Sequence, residues 1–366
     1  MVHLSVLDQS PVPAGSSPAT AVANSVDLAI WADRWGFHRY WAAEHHAAPS
    51  HAGPAPEILI AHLTARTTGI RLGTGGVLLP YYSPLKVAEV FRVLEAIEPG
   101  RIDLGIGRAI RSGSPEFAAL RWDAPGAEEP ADFVEKVSAL RSFLAAGPLA
   151  DGPHAGLRVM PDVTGQPEIW VLGSSVRSAE AAGAAGLPYA YAHFLAPAAT
   201  RDAISAYRRA FVGEEPKAIV GLGVYVAETE QEARLLHTSQ SLFRERMTRG
   251  EVRPIPSPQT ALDELGPSAL EPEPTPDGQW PRYLVGDAAQ VAQRIEEIAE
   301  GAGVDEVTLL TTIHDHQARL RSYRLLATEF DLKPRGIDGA AAGPGSGQTT
   351  GEHYVVRDSW SAGDTR

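Results

Sequence analysis

The chain has 366 residues, 44% of them hydrophobic and 21% charged, with a formal net charge of -13. This composition is that of a globular chain with an ample apolar core, and the acidic excess argues against a nucleic-acid or anionic-membrane surface. Cysteine is absent, which excludes disulfides, iron–sulfur clusters, thiolate zinc sites and Cys nucleophiles.

Leu4 to Leu7 reads as a short apolar strand ending in Asp8-Gln9-Ser10-Pro11. Ser17-Pro18 opens a helical stretch in which Val22, Val26, Ala29 and Ile30 recur at helical spacing, and Gly36 stops it. A strand over 40–43 leads into Glu44-His45-His46 and a loop rich in Ala, Pro and His. Pro56 starts a second helix. A strand is expected over 70–79, a helix over 84–97 and a strand over 101–106. A helix over 131–144, a strand over 168–172, a helix over 175–185 and a strand over 189–192 follow. Next come a helix over 198–211, a strand over 217–227 and a helix over 230–246. The series closes with a helix over 288–300, a strand over 306–310 and a helix over 317–330.

Eight strands, each followed by a helix, favour a parallel sheet with helices outside, closed into a (β/α)8 TIM barrel. Insertions are expected after strands 4 and 7. Residues 108–130 read as irregular and 251–281, dense in Pro and acid, as extended and mobile. The barrel domain is expected over 1–333, and 334–366, rich in Gly, Ala, Ser and Thr, as a disordered tail. The N-terminus lacks signal-peptide features and no apolar run reaches transmembrane length, so the expected location is the cytoplasm.

In a barrel the active site lies at the C-terminal ends of the strands. There the sequence puts Asp8, Gln9 and Ser10; Glu44, His45 and His46; Gly75 and Gly76; Gly107 and Arg108; Gly173, Ser174 and Ser175; and His193. Imidazole titrates nearest neutral pH, which suits proton transfer. Leu172-Gly173-Ser174-Ser175-Val176-Arg177 runs a strand into a helix N-terminus, either an anion site or a plain N-cap. Leu72-Gly73-Thr74-Gly75-Gly76-Val77 signals either close backbone approach to a ligand or a packing constraint. Leu104-Gly105-Ile106-Gly107-Arg108 is not a dinucleotide fingerprint, since Ile110 stands where the third glycine belongs. His45, His46, His51 and His62 lack the HExxH pattern, and adjacent histidines on a strand point to opposite faces, which disfavours a metal site.

The stretches Ser5-Val6-Leu7-Asp8-Gln9-Ser10-Pro11, Trp41-Ala42-Ala43-Glu44-His45-His46, Leu72 to Pro80 and Pro99 to Arg108, with the Gly173-Ser174-Ser175 and Gly286-Asp287 helix starts, resemble the bacterial-luciferase-like, flavin-dependent monooxygenase family, in its natural-product tailoring branch. The resemblance implies a barrel that binds reduced FMN (FMNH2) from a separate NAD(P)H:flavin reductase. O2 would add at flavin C4a, and the peroxyflavin would oxygenate a small organic substrate. It implies acid–base work for His45, with Glu44 beside it. It implies a non-proline cis peptide at Gly75–Gly76 and phosphate contacts from Arg108, Ser174 and Arg177, in a flavin site that also takes in Asp8, Gly173, Ser175 and Val176. A lid is implied near 251–281, and a homodimer is the family expectation. Where relatives continue Pro-Gly-Thr after residue 109, this chain has Ile110-Arg111-Ser112-Gly113. Expected pocket walls are Trp41, Tyr81, Tyr82, Phe117, Trp122 and His193. The rival readings are an F420-dependent oxidoreductase on the same barrel and a non-catalytic flavin-binding protein.

Overall fold

The computed structural model describes residues 2–108, 115–120 and 133–335. In chain order the elements are β1 (His3–Asp8), α1 (Pro18–Trp35), β2 (Arg39–Ala42), α2 (Pro56–Thr64), β3 (Arg71–Leu78), α3 (Pro84–Ile97) and β4 (Ile102–Gly107). Then come α4 (Pro115–Leu120), α5 (Phe133–Leu144), β5 (Glu168–Gly173), α6 (Val176–Ala184), β6 (Tyr189–Ala192), α7 (Thr200–Ala210) and β7 (Ala218–Val226). The chain closes with α8 (Glu230–Thr248), α9 (Pro258–Leu265), β8 (Tyr283–Gly286), α10 (Ala288–Ala302), β9 (Glu306–Leu310) and α11 (His316–Glu329).

Local chemistry sets the helix ends. Ser17 caps α1 by accepting the Thr20 N–H, Pro18 takes the first-turn position that needs no donor, and Gly36 ends the helix at φ 91, a left-handed conformation open to glycine. Asp287 and Gln290 form a reciprocal capping box at the start of α10.

β1 to β7 pair in sequence, all parallel, and β9 closes the ring between β7 and β1. The eight-stranded barrel is therefore as expected. The ninth strand, β8, was not foreseen. β9 pairs with β7 over Ile219 to Gly223, and β8 takes the overhang from Gly223 to Val226. Four residues carry little periodicity, and β8 exists because a long β7 offers it an edge.

Two apolar layers hold the barrel. One lies between strands and helices; the other fills the interior with Leu7, Trp41, Trp170, Ile219 and Leu310. Trp41 meets Trp170 edge to face at 5.5 Å. At the N-terminal end an ion network closes the floor. Arg39 reaches Asp103 at 2.9 Å, Glu168 at 3.0 Å and Glu306 at 2.8 Å, and Arg71 reaches Asp103 at 2.5 Å. Asp103 also accepts the Trp41 indole N–H at 3.0 Å. Deleting one member of such a buried set costs about 3–5 kcal/mol, because its partners keep uncompensated charge.

Two expectations need correction. Residues 251–281 are not simply extended: Ser257 caps a helix that Pro258 opens, and a 3-10 turn follows at Pro267–Leu270. The segment is pinned at Ile255, which donates to Val12 O at 2.8 Å and accepts from Ala14 N at 2.7 Å. Residues 108–130 include helix α4, while Arg111, Arg121, Trp122 and the Phe117 side chain lie outside the described residues. Of the segment expected as a tail, Pro334 and Arg335 are among the described residues. Arg335 donates to Asp33 and to the Phe37 carbonyl at 3.2 and 2.8 Å, and 336–366 lie outside the described residues. Among the described residues no helix is long and apolar enough to cross a membrane.

Candidate active site

Along the rim, β3 brings up the barest backbone. A Cβ on Gly76 would stand 2.7 Å from the carbonyl of Gly105, and one on Gly75 would stand 2.5 Å from Leu7 and 3.1 Å from Trp41. Only glycine lets β3 pass this close while remaining partly open to the mouth. The Gly75–Gly76 peptide is cis.

On the neighbouring rim β5 runs into α6. Ser175 caps the helix by accepting the Ser178 N–H at 3.2 Å, so Val176 and Arg177 occupy the first turn, where backbone donors lack helical partners. Arg177 and Arg108 line one hollow of about 280 Å³, with Ser178 among its walls. Arg108 lies over the Phe133 ring at 5.4 Å and is exposed. Gly173, Ser174 and Val176 are half-buried beside them. Two guanidiniums and a helix N-terminus thus share one corner, a donor set that matches phosphate.

After β2 the chain leaves the sheet before reaching the histidines. Glu44, His45 and His46 therefore lie in a loop, and strand alternation does not govern them. Glu44 anchors that loop. Its carboxylate accepts the Leu78 N–H at 3.0 Å, the Tyr82 hydroxyl at 2.6 Å and His46 Nε2 at 2.5 Å. With both oxygens engaged, Glu44 ties the loop to the turn after β3 and to His46. His45 stacks on His51, ring centroids 4.4 Å apart and 15° from parallel. Burial, then the adjacent His46, lowers the His45 pKa to about 4, so the ring is neutral at physiological pH.

Three other predicted site residues are placed away from the open mouth. Asp8 points outward into the helix layer, where Arg319 donates at 2.7 Å, Tyr40 at 2.6 Å and Ser10 N at 2.8 Å. Burial raises its pKa, but Arg319 and Tyr40 outweigh that and hold it low. Trp41 belongs to the barrel interior, 1% exposed, below Gly75. His193 is fully buried, with Nδ1 at 2.8 Å from the Thr200 hydroxyl and Nε2 at 2.9 Å from Pro281 O, and clamps β6 to the approach of β8. Tyr81 stays half-buried in the turn after β3.

Arg319, Phe243 and the role of His51 escaped the sequence. Arg319 meets Asp8 across 311 residues and no local pattern links them. Phe243 of α8 sets its edge on His51 at 5.9 Å, a contact that depends on how the segment after β7 returns to the rim.

The model of the luciferase-like monooxygenase family matches residues 2–306. The chain belongs to this family. An Escherichia coli K12 member described as a luciferase-like monooxygenase is 37% identical over 336 residues, 88% of this chain and 96% of that one. The crystal structure of apo-MsnO8 superposes with TM-score 0.83 at 46% identity, covering 92% of this chain and all of that one. The oxygenating constituent of 3,6-diketocamphane monooxygenase from Pseudomonas putida, a type II Baeyer–Villiger enzyme in complex with FMN, shares the fold. It has TM-score 0.68 at 20% identity and covers 90% of this chain and 97% of that one. Family membership supports an oxidoreductase.

Proposed function

We propose that this protein is an FMN-dependent monooxygenase that uses reduced FMN and O2 to oxygenate a small organic substrate. One juxtaposition carries the reading: an anion corner of Arg108, Arg177 and the α6 N-terminus stands on the same rim as the bare Gly75–Gly76 backbone. The flavin phosphate fits the corner, and the flat ring system fits against backbone without side chains.

Reduced FMN, when bound, supplies activation of O2 and transfer of one oxygen atom. This chain's residues do the rest. Arg108, Arg177, Ser174 and the first turn of α6 hold the phosphate. Gly75 and Gly76 give the ring its seat. Neutral His45 exchanges a proton at its ring nitrogen with the bound flavin or substrate, held there by the loop that Glu44 anchors. The apolar interior under the seat, with Leu7 and Trp41, keeps water from the reacting face. As the family resemblance implies, the reading includes a separate NAD(P)H:flavin reductase as supplier and a homodimer as the working form.

The test is anaerobic titration with reduced FMN, followed by admission of oxygen in a stopped-flow instrument. Saturable binding and a transient absorbing species before oxidised FMN appears are expected. No binding of reduced FMN would end the reading, and preference for F420 without oxygen consumption would replace it.

A further inference from the structure

His51 has no part in the reading so far, yet the fold lays its ring against His45. The loop after β2 doubles back: His45 N donates to Gly53 O at 3.0 Å, and His51 N to Ala48 O at 3.1 Å. The returning leg is pinned to the loop after β1, where Val12 N donates to Ser50 O at 2.9 Å and Ala52 N to Ser10 O at 2.9 Å. These bonds lay the His51 ring flat on His45. The Ser50 hydroxyl, 2.9 Å from His51 Nδ1, sets the rotation of the ring, and Phe243 of α8 braces its other side.

Two ring nitrogens, His45 Nδ1 and His51 Nε2, are buried with no hydrogen-bond partner among the described residues. Leaving a buried polar atom free is unfavourable, and such atoms in a packed site call for an explanation. An aliphatic pair would stack here without that penalty. The surroundings are largely apolar, and the charged groups that do face the pair, Asp8 toward His51 and His46 toward His45, have partners of their own. Pro18, Ala19 and Val22 of the α1 start and Ala48, Pro49 and Pro54 of the loop line the hollow beside the pair. Glu44 and His46 are engaged with each other, Asp8 is engaged with Arg319 and Tyr40, and α8 offers Phe243. Burial, then the facing His45, lowers the His51 pKa to about 3, so the ring presents a neutral plate to its neighbour.

We propose that His51 is a positioning residue for His45: by stacking it fixes the plane of the His45 ring and shields one face from water, so that His45 meets the flavin or substrate correctly turned. The inference rests on the reading of His45 as the proton-exchanging residue.

The experiment follows the His45 ring by NMR in full-length protein labelled with 15N-histidine, with His45→Gln assigning the signal. In the wild type His45 is expected to titrate far below the ordinary 6.5, at about 4. His51→Ala opens the stacked face, and His45 is expected to titrate at least one pH unit higher. Oxygenation of a surrogate substrate should fall at least tenfold, with more reduced flavin lost to hydrogen peroxide and flavin affinity unchanged. His51→Phe rebuilds a flat ring and should restore the low His45 titration and the coupling. An unshifted His45 signal and unchanged coupling in His51→Ala would overturn the proposal. So would a His51→Phe variant that folds yet loses both, and that arm still decides should His51→Ala not fold. Because the NMR readout needs no flavin, a wild type that fails to bind reduced FMN would remove the functional reading while leaving the effect of the stack measurable.

Discussion

The Tyr82 hydroxyl donates to the Glu44 carboxylate at 2.6 Å, tying the loop after β2 to the turn after β3. The same carboxylate takes the Leu78 N–H at 3.0 Å, so one buried acid joins two rim segments that carry His45 on one side and Gly75–Gly76 on the other. Glu44→Ala strips partners from a backbone donor, a phenol and an imidazole at once. The expected cost is about 1–3 kcal/mol for the orphaned groups. It should be read as a lower denaturation midpoint, with Tyr82→Phe losing less because Leu78 N and His46 keep their acceptor.

The anion corner predicts a charge effect specific to the phosphate. Arg108→Ala and Arg177→Ala should each weaken binding of reduced FMN about tenfold, about 1.4 kcal/mol. Binding of reduced riboflavin, which lacks the phosphate, should change little. Anaerobic fluorescence titration of both flavins measures the contrast, and raising the salt concentration should narrow it.

Gly76→Ala tests the bare seat. Its Cβ would meet the Gly105 carbonyl carbon and oxygen at 2.7 Å, backbone atoms that cannot turn aside. Overpacking of this kind costs about 1–3 kcal/mol. A lower melting temperature is expected together with weaker flavin binding. A variant that melts and binds like the parent would show that β3 has room to move.

Acid should destabilise the fold in two stages. Burial, the first cause in each case, holds His45 at about 4, His51 at about 3 and His237 at about 4, all below the ordinary 6.5. Between pH 6.5 and these values the unfolded chain binds protons that the folded chain refuses, so stability falls as pH drops through that range. For Glu168 burial pushes upward, but Lys217 and Arg39 outweigh it and hold the carboxyl at about 2. The stability Glu168 contributes is complete above pH 4.5 and is lost as pH falls toward 2. Urea midpoints taken from pH 7 to pH 3 should decline throughout, and His51→Phe should flatten the first stage by removing one buried imidazole.

Much of this molecule is legible in one dimension. The helix over 84–97 and the strand over 306–310 were read to the residue, because Pro84 and an apolar run bounded by polar residues are local signals. The rim glycines and the Ser175 cap are local as well, since backbone approach and capping are set within a few residues. β8 and α9 were not read as such. The first depends on the overhang of β7, and the second hides in a proline-rich stretch where Ser257-Pro258 was the one signal of a helix start.

The division within the site has the same cause. Sequence alone determined the barrel and placed His45, Arg108, Arg177 and two adjacent glycines at or just beyond strand ends, because alternation and strand ends are short-range properties. Tertiary structure decided which way each side chain turns. It sent Asp8 outward to Arg319, sank Trp41 into the interior, closed His193 between Thr200 and Pro281, and folded the loop so that His51 lies on His45. Those outcomes depend on which distant partner satisfies a buried polar group, and the free energy of burying a charge or an imidazole is settled by neighbours that the chain brings together only when it folds.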